Sequence, residues 1–116
     1  MRKTIDGGVY LDALHLNELM DLSDVEIVGG GFSCMQNNLT SLKGSPFKSR
    51  GPLDCSYNKL TTLYGAPRTV GSFTCDHNLL NSLEYAPELS IDFICHNNFL
   101  KDLEQHQSCL PNLPGF

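Results

Sequence analysis

One short motif repeats four times along this 116-residue chain at an almost constant spacing. Successive copies of its central cysteine are 21, 20 and 20 residues apart. In each copy a large apolar residue (φ) precedes the cysteine by two positions, an asparagine follows it by three, and leucines follow by five and eight. The unit is therefore φ-x-C-x-x-N-x-L-x-x-L, a fixed period that predicts a solenoid with one coil per repeat. Its four copies are Phe32–Cys34–Asn37–Leu39–Leu42, Leu53–Cys55–Asn58–Leu60–Leu63, Phe73–Cys75–Asn78–Leu80–Leu83 and Phe93–Cys95–Asn98–Leu100–Leu103.

The motif also predicts which side chains face the core. Alternate residues of a strand share one face, so Phe73 and Cys75 point inward while Thr74 and Asp76 point outward. A single coil cannot bury its apolar face, so the coils stack and their strands form a parallel sheet. The asparagine after each strand has two donors and one acceptor for backbone groups of the turn. We therefore predict an asparagine ladder made of Asn17, Asn37, Asn58, Asn78 and Asn98.

A fifth, degenerate repeat precedes the four regular ones. Leu14, Asn17, Leu19 and Leu22 fit the template, with Leu14 20 residues before Cys34 and Asp12 at the φ position. The alternative interpretation of residues 11–22 is an amphipathic helix that caps the stack. We predict one domain over residues 1–116, with an N-terminal cap and degenerate repeat at 1–30, four regular repeats at 31–103 and a C-terminal cap at 104–116.

This unit resembles the leucine-rich repeat, with cysteine at the third consensus leucine position. The resemblance covers residues 9–105, and the F-x-C-x-x-N-x-L-x-x-L-x-G-A-P form is similar to short repeats in bacteriophage and bacterial proteins. It implies a β-rich solenoid of about five coils, with a short parallel sheet on the concave face and little or no helix on the convex side. It further implies a non-enzymatic protein-binding module, and for a phage protein an inhibitor that blocks a host defence protein.

The outward face of the strands is the predicted partner-binding surface. Its residues vary from one repeat to the next, as expected for a shaped surface, and Met35 and Tyr57 are the candidate anchors because Met and aromatic residues are enriched at interfaces. The predicted contact residues are Met35, Gln36, Asp54, Ser56, Tyr57, Thr74, Asp76, His77, Ile94, His96 and Asn97.

Two groups of residues have alternative chemical interpretations. Asp54, Asp76, His77 and His96 are expected to lie close together, and such groups can bind metals or transfer protons. An open strand face has no pocket to exclude water, so we predict no catalytic, metal or cofactor site. The ladder cysteines are interpreted as small buried apolar residues, with disulfides or a metal as alternatives, and Cys109 as an exposed thiol outside the ladder.

Net charge, apolar segments and cysteine usage indicate which partners and which compartment to expect. The net charge is −5, from 8 basic and 13 acidic residues, which disfavours nucleic acid. No long apolar segment suggests a membrane span or export signal, and the unpaired thiols favour the cytoplasm, the host's if the chain is phage-encoded. A homodimer through the stack ends, with Leu110, Leu113 and Phe116 at the C-terminal end, and a secreted effector-like binding protein are the alternatives to a protein-blocking module.

Overall fold

The computed structural model describes residues 3–88 and 92–100, which wind into a β-solenoid of about four turns. All the regular elements in these two segments are short strands, and none is a helix. The solenoid prediction is therefore confirmed, including the lack of helix on the return segments. The strands are β1 Lys3–Ile5, β2 Val9–Tyr10, β3 Val25–Val28, β4 Phe32–Ser33, β5 Lys48–Ser49, β6 Leu53–Asp54, β7 Phe73–Thr74 and β8 Phe93–Ile94.

The main sheet contains the strands that the repeat predicts. Its order is β2-β4-β6-β7-β8, with every neighbouring pair parallel. The φ residues pair directly across it, Phe32 with Leu53, Leu53 with Phe73, and Phe73 with Phe93. Each copy of the motif therefore occupies the same place in its coil.

A second parallel sheet, which the repeat does not predict, forms on the return segments. Here β3 pairs with both β1 and β5, and a single bridge between Lys48 and Thr69 continues the pairing into the next coil. A proline recurs four residues after the first three regular L-x-x-L runs, at Pro46, Pro67 and Pro87, but the residues that pair beyond it share no motif. Their pairing depends on the coil spacing that the main sheet and the core impose.

The core is a stack of columns, one for each apolar position of the repeat. Its φ, cysteine and leucine side chains are almost all buried, and the Phe73 and Phe93 rings meet edge to face with centroids 5.2 Å apart. The return segments add Val25, Val28 and Val70 from the opposite side. The inward face assigned from the sequence is correct.

Residues 11–22 form a coil without helix, but in a different register from the predicted one. Val9 pairs with Phe32, which makes Val9 the φ residue and aligns Leu11 with Cys34. Asn17 is exposed and lies outside the ladder. The predicted register fails because the first coil has a longer turn than the regular repeats. Matching its leucines at a spacing of 20 residues therefore assigns the wrong residues to the strand.

The asparagine ladder forms over four coils. Nδ2 of Asn78 donates to the carbonyl oxygens of Cys75, Cys55 and Asp76 at 3.0–3.1 Å, and its Oδ1 accepts the amide N–H of Leu60 at 3.0 Å. Asn58 and Asn98 repeat this arrangement in their own coils. Each asparagine thus joins its own turn to the turn of the preceding coil.

In three coils the second turn has a left-handed residue two positions after the last leucine of the L-x-x-L segment. Gly44 and Gly65 adopt φ of 101° and 91°, and Tyr85 adopts 73° at the same place in the next coil. At Gly65 a side chain is also excluded by space, because a methyl group there would overlap the backbone nitrogen of Lys43. This position therefore combines a conformational and a steric requirement.

We expect Gly65→Ala to lower the free energy of unfolding by about 3 kcal/mol, because it adds backbone strain and a collision between coils. Gly7→Ala is the matched control, since a methyl group at Gly7 has open space around it. Urea unfolding of both variants measures the difference. Equal stability of the two variants would show that the coils separate at Gly65 without cost.

Several predictions concern residues outside the described segments. They are the C-terminal cap at 104–116, the dimer contacts at Leu110, Leu113 and Phe116, and the thiol of Cys109. In the part of the chain that the structure describes, no helix has the length and apolar character needed to cross a membrane.

Candidate functional site on the outer face of the main sheet

The eleven predicted contact residues lie along one side of the main sheet, but they differ in exposure. Gln36, Tyr57, Ile94 and Asn97 are exposed, whereas Met35, Asp54, Thr74, His77 and His96 are half-buried. Ser56 and Asp76 are buried, at 3% and 7% exposure. The outer face thus offers nine of these side chains to a partner, while two are covered by their own neighbours.

Ser56 is covered through a local hydrogen bond. Its hydroxyl donates to Oδ1 of Asp54 at 2.6 Å, and its backbone N–H donates to the same oxygen at 3.0 Å. Asp12 serves the preceding coils in a related way, since its Oδ1 accepts from the hydroxyl of Ser33 and the N–H of Met35. Aspartates beside the strands therefore bind the strand ends through hydrogen bonds.

The backbone turns sharply two residues after each cysteine. Gln36, Tyr57, His77 and Asn97 have φ of 54° to 57°, in the left-handed region that non-glycine residues seldom adopt. The strand's alternation ends at this residue, so its side chain lies beside that of the preceding residue instead of opposite it. The asparagine ladder directly after this position holds the turn in place.

The left-handed residues bring five side chains of three coils into contact; we call them the histidine cluster. The rings of Tyr57 and His77 stack with centroids 4.2 Å apart and planes within 8°. Nδ1 of His77 lies 2.6 Å from Oδ2 of Asp76, and Nε2 of His77 lies 2.7 Å from Nδ2 of Asn97. Nε2 of His96 approaches the same Asp76 oxygen at 3.7 Å.

These contacts determine how His77 is held. An ionised Asp76 can only accept, so Nδ1–H of His77 donates to it and Nε2 accepts from the Asn97 amide. Both ring nitrogens are thereby used, and the ring plane is held by the stacked Tyr57. The expected proximity is confirmed for Asp76, His77 and His96, whereas the Asp54 carboxylate binds Ser56 and is not part of this group.

Other exposed apolar side chains were not predicted from the repeat. Leu79 and Phe99 occupy the variable position between the ladder asparagine and the next leucine, at 45% and 62% exposure. Tyr10 is 69% exposed at the edge of the main sheet. The signal that was available is the motif itself, because its x positions point away from the core and here carry large apolar residues.

The ladder thiols are buried, and three of them are free: Cys34, Cys55 and Cys75. Burial is the main cause that raises the pKa of Cys34 to about 12, with smaller contributions from the charges of Asp12 and Asp54. Burial likewise raises the pKa of Cys55 and Cys75 well above the ordinary value. Such thiols are poor nucleophiles and poor metal ligands, because the thiolate is the reactive form.

Cys95 differs from the other three. It is fully buried as predicted, but it is disulfide-bonded. The interpretation of the whole ladder as free thiols is therefore wrong at this position.

Comparisons with protein-family models, with curated proteins and with solved structures return no match to this chain.

Proposed function

We propose that this chain is a protein-binding module that contacts its partner through the outer face of the main sheet. The observation that carries the proposal is Tyr57, which is 48% exposed and yet held by ring stacking on His77. Aromatic side chains dominate binding energy at protein interfaces. A tyrosine that is already ordered loses little conformational entropy when a partner covers it.

The surroundings of Tyr57 support the same proposal. Gln36 lies at the same position of the preceding coil and is exposed, and the half-buried Met35 lies next to it. On the other side of Tyr57 are His77 and Asn97, whose polar atoms are tied to each other. An aromatic anchor flanked by a thioether and by ordered polar groups has the composition of an interface centre.

The narrower expectation, a phage-encoded inhibitor of a host defence protein, depends on the resemblance of the repeat to phage sequences. It stays a prediction, as do the absence of enzymatic activity and the cytoplasmic location. A partner identified by the experiment below would test the inhibitor prediction.

The experiment compares partner capture by the wild type, Tyr57→Ala and Tyr64→Ala. Tyr64 is the matched control because it is similarly exposed, at 54%, but lies on the turn after the second leucine. We expect Tyr57→Ala to weaken binding of the captured partner by about 30-fold, the loss of a typical hot spot of about 2 kcal/mol. Tyr64→Ala should bind like the wild type.

Titration with the purified partner measures the affinities, and urea unfolding checks that both variants are folded. A partner that binds both variants equally would contradict the assignment of the outer face. Recovery of only the chain itself, with a size that depends on concentration, would favour the self-assembly alternative.

A further inference from the structure

We infer that Asp76, His77 and His96 form a binding site for a divalent transition-metal ion such as Zn²⁺. These three residues each offer one ligand atom, and the three atoms lie within 4.8 Å of one another. Two imidazole nitrogens and a carboxylate oxygen are a common donor set for such ions, with the remaining coordination positions open to water. The site is independent of any protein partner.

The fold explains how consecutive residues share one site. Side chains at successive strand positions ordinarily point to opposite faces. The left-handed conformation of His77, at φ 54°, ends this alternation and turns its imidazole back toward Asp76. His96 follows β8 in the next coil at the position that Asp76 occupies after β7, so stacking brings it alongside.

The distances need only a small adjustment to suit a metal. With Zn–N and Zn–O bonds of about 2.1 Å, ligand atoms of a tetrahedral site lie about 3.4 Å apart. Nε2 of His96 is 3.7 Å from Oδ2 of Asp76, close to that value. Nδ1 of His77 is nearer, at 2.6 Å, because a hydrogen bond now joins it to the same oxygen. Rotation of the half-exposed His96 ring and a small opening of this hydrogen bond make room for the ion.

Burial and charge also favour a cation at this place. The Asp76 side chain is 10% exposed, whereas the imidazoles of His77 and His96 are 35% and 43% exposed and give the ion a path from solvent. In the described segments, Lys3 forms a salt bridge with Asp24 and Arg68 forms one with Glu88. Neither involves Asp76. A metal ion at the cluster would place positive charge against this covered carboxylate.

Asn97 and Tyr57 are positioning residues for the site. A histidine that binds a metal through Nδ1 donates its Nε2–H to an acceptor. The Asn97 amide is already within 2.7 Å of Nε2, and its flipped orientation presents Oδ1 as that acceptor. When the ion binds, His77 changes tautomer: its Nδ1 proton leaves to solvent and Nε2 takes up a proton from solvent, so the imidazole stays neutral and no net proton is released.

The test uses the full-length chain without a histidine tag, freed of metal with a chelator and titrated with ZnCl₂ by calorimetry. We expect one Zn²⁺ per chain, bound at least about 100-fold more weakly by His96→Gln, since even outer-shell partners change affinity by 10- to 100-fold. His15→Gln is the matched control, because His15 is exposed and belongs to another coil. MgCl₂ should not bind, since Mg²⁺ prefers oxygen ligands.

Two further measurements separate this site from others in the chain. Histidine ring-nitrogen NMR should show Zn²⁺ shifting Nδ1 of His77 and Nε2 of His96. Asn97→Gly, which keeps the left-handed backbone at φ 54°, should weaken Zn²⁺ binding by about 10-fold or more. The proposal is overturned if Zn²⁺ does not saturate a site, if His77→Gln and His96→Gln bind it like the wild type, or if MgCl₂ binds equally well.

Discussion

Replacing Asn78 by alanine is expected to lower the free energy of unfolding by about 4 kcal/mol, enough to unfold much of a small domain. The side chain makes four hydrogen bonds in the buried turn, and its removal leaves the Leu60 N–H and the carbonyls of Cys55 and Cys75 without that partner. A buried polar group left unpaired costs about 1–3 kcal/mol. Urea unfolding measures the change.

Asn17→Ala is the control for this prediction, and it also tests the register of the first coil. The leucine pattern around Asn17 places it in the ladder, whereas the structure leaves it exposed. We expect its replacement to change stability by less than about 0.5 kcal/mol. A large loss in Asn17→Ala, or a small one in Asn78→Ala, would contradict the ladder described above.

Alkaline pH is expected to destabilise the protein strongly through the three free buried thiols of the described segments, Cys34, Cys55 and Cys75. Their pKa values are raised in the native state above the ordinary value of 9.0, so between pH 9 and about 12 the unfolded chain loses thiol protons that the native chain keeps. The stabilisation from these thiols is complete below pH 9 and decreases as the pH rises. Each thiol contributes about 1.4 kcal/mol per pH unit, so the three together lower the free energy of unfolding by about 4 kcal/mol between pH 8 and pH 10.

Urea unfolding without oxygen, at several pH values in this range, tests the alkaline effect. Cys75→Ala should reduce the slope against pH by about one third, because two thiols remain. The comparison of slopes cancels every other ionising group, since both proteins carry them. A slope that Cys75→Ala leaves unchanged would mean that the native thiols ionise as readily as the unfolded ones.

The fold could be predicted because the core and the ladder are local in each repeat. A φ residue, a cysteine and two leucines at fixed spacing have one arrangement that buries them all, namely stacking in register. Asn58 and Asn78 could be assigned from the same spacing, since an asparagine after each strand is close to its own turn. The fold prediction failed in detail where the spacing changes, at Leu11 and Asn17, because a longer turn shifts the strand without altering the leucine pattern.

The candidate site was only partly predictable for a different physical reason. Alternation and the repeat period place Asp76 and His96 on the outer face. Tyr57 and His77 have the parity of the inward cysteines and reach the outer face because the left-handed turn ends the alternation. The sequence does not show that His77 turns toward Asp76, since that depends on a left-handed backbone conformation held by the next asparagine. The sequence likewise does not show that Asp76 is buried, because the side chains that cover Asp76 belong to another coil.

The sequence by itself therefore determined where each coil begins, which side chains form the inward columns and that the coils stack in parallel. These features follow from a short motif that recurs at a fixed period. Only the tertiary structure decided the second sheet and the histidine cluster. Both depend on contacts between residues about 20 positions apart, where the spacing between coils and the backbone dihedral angles set the distances.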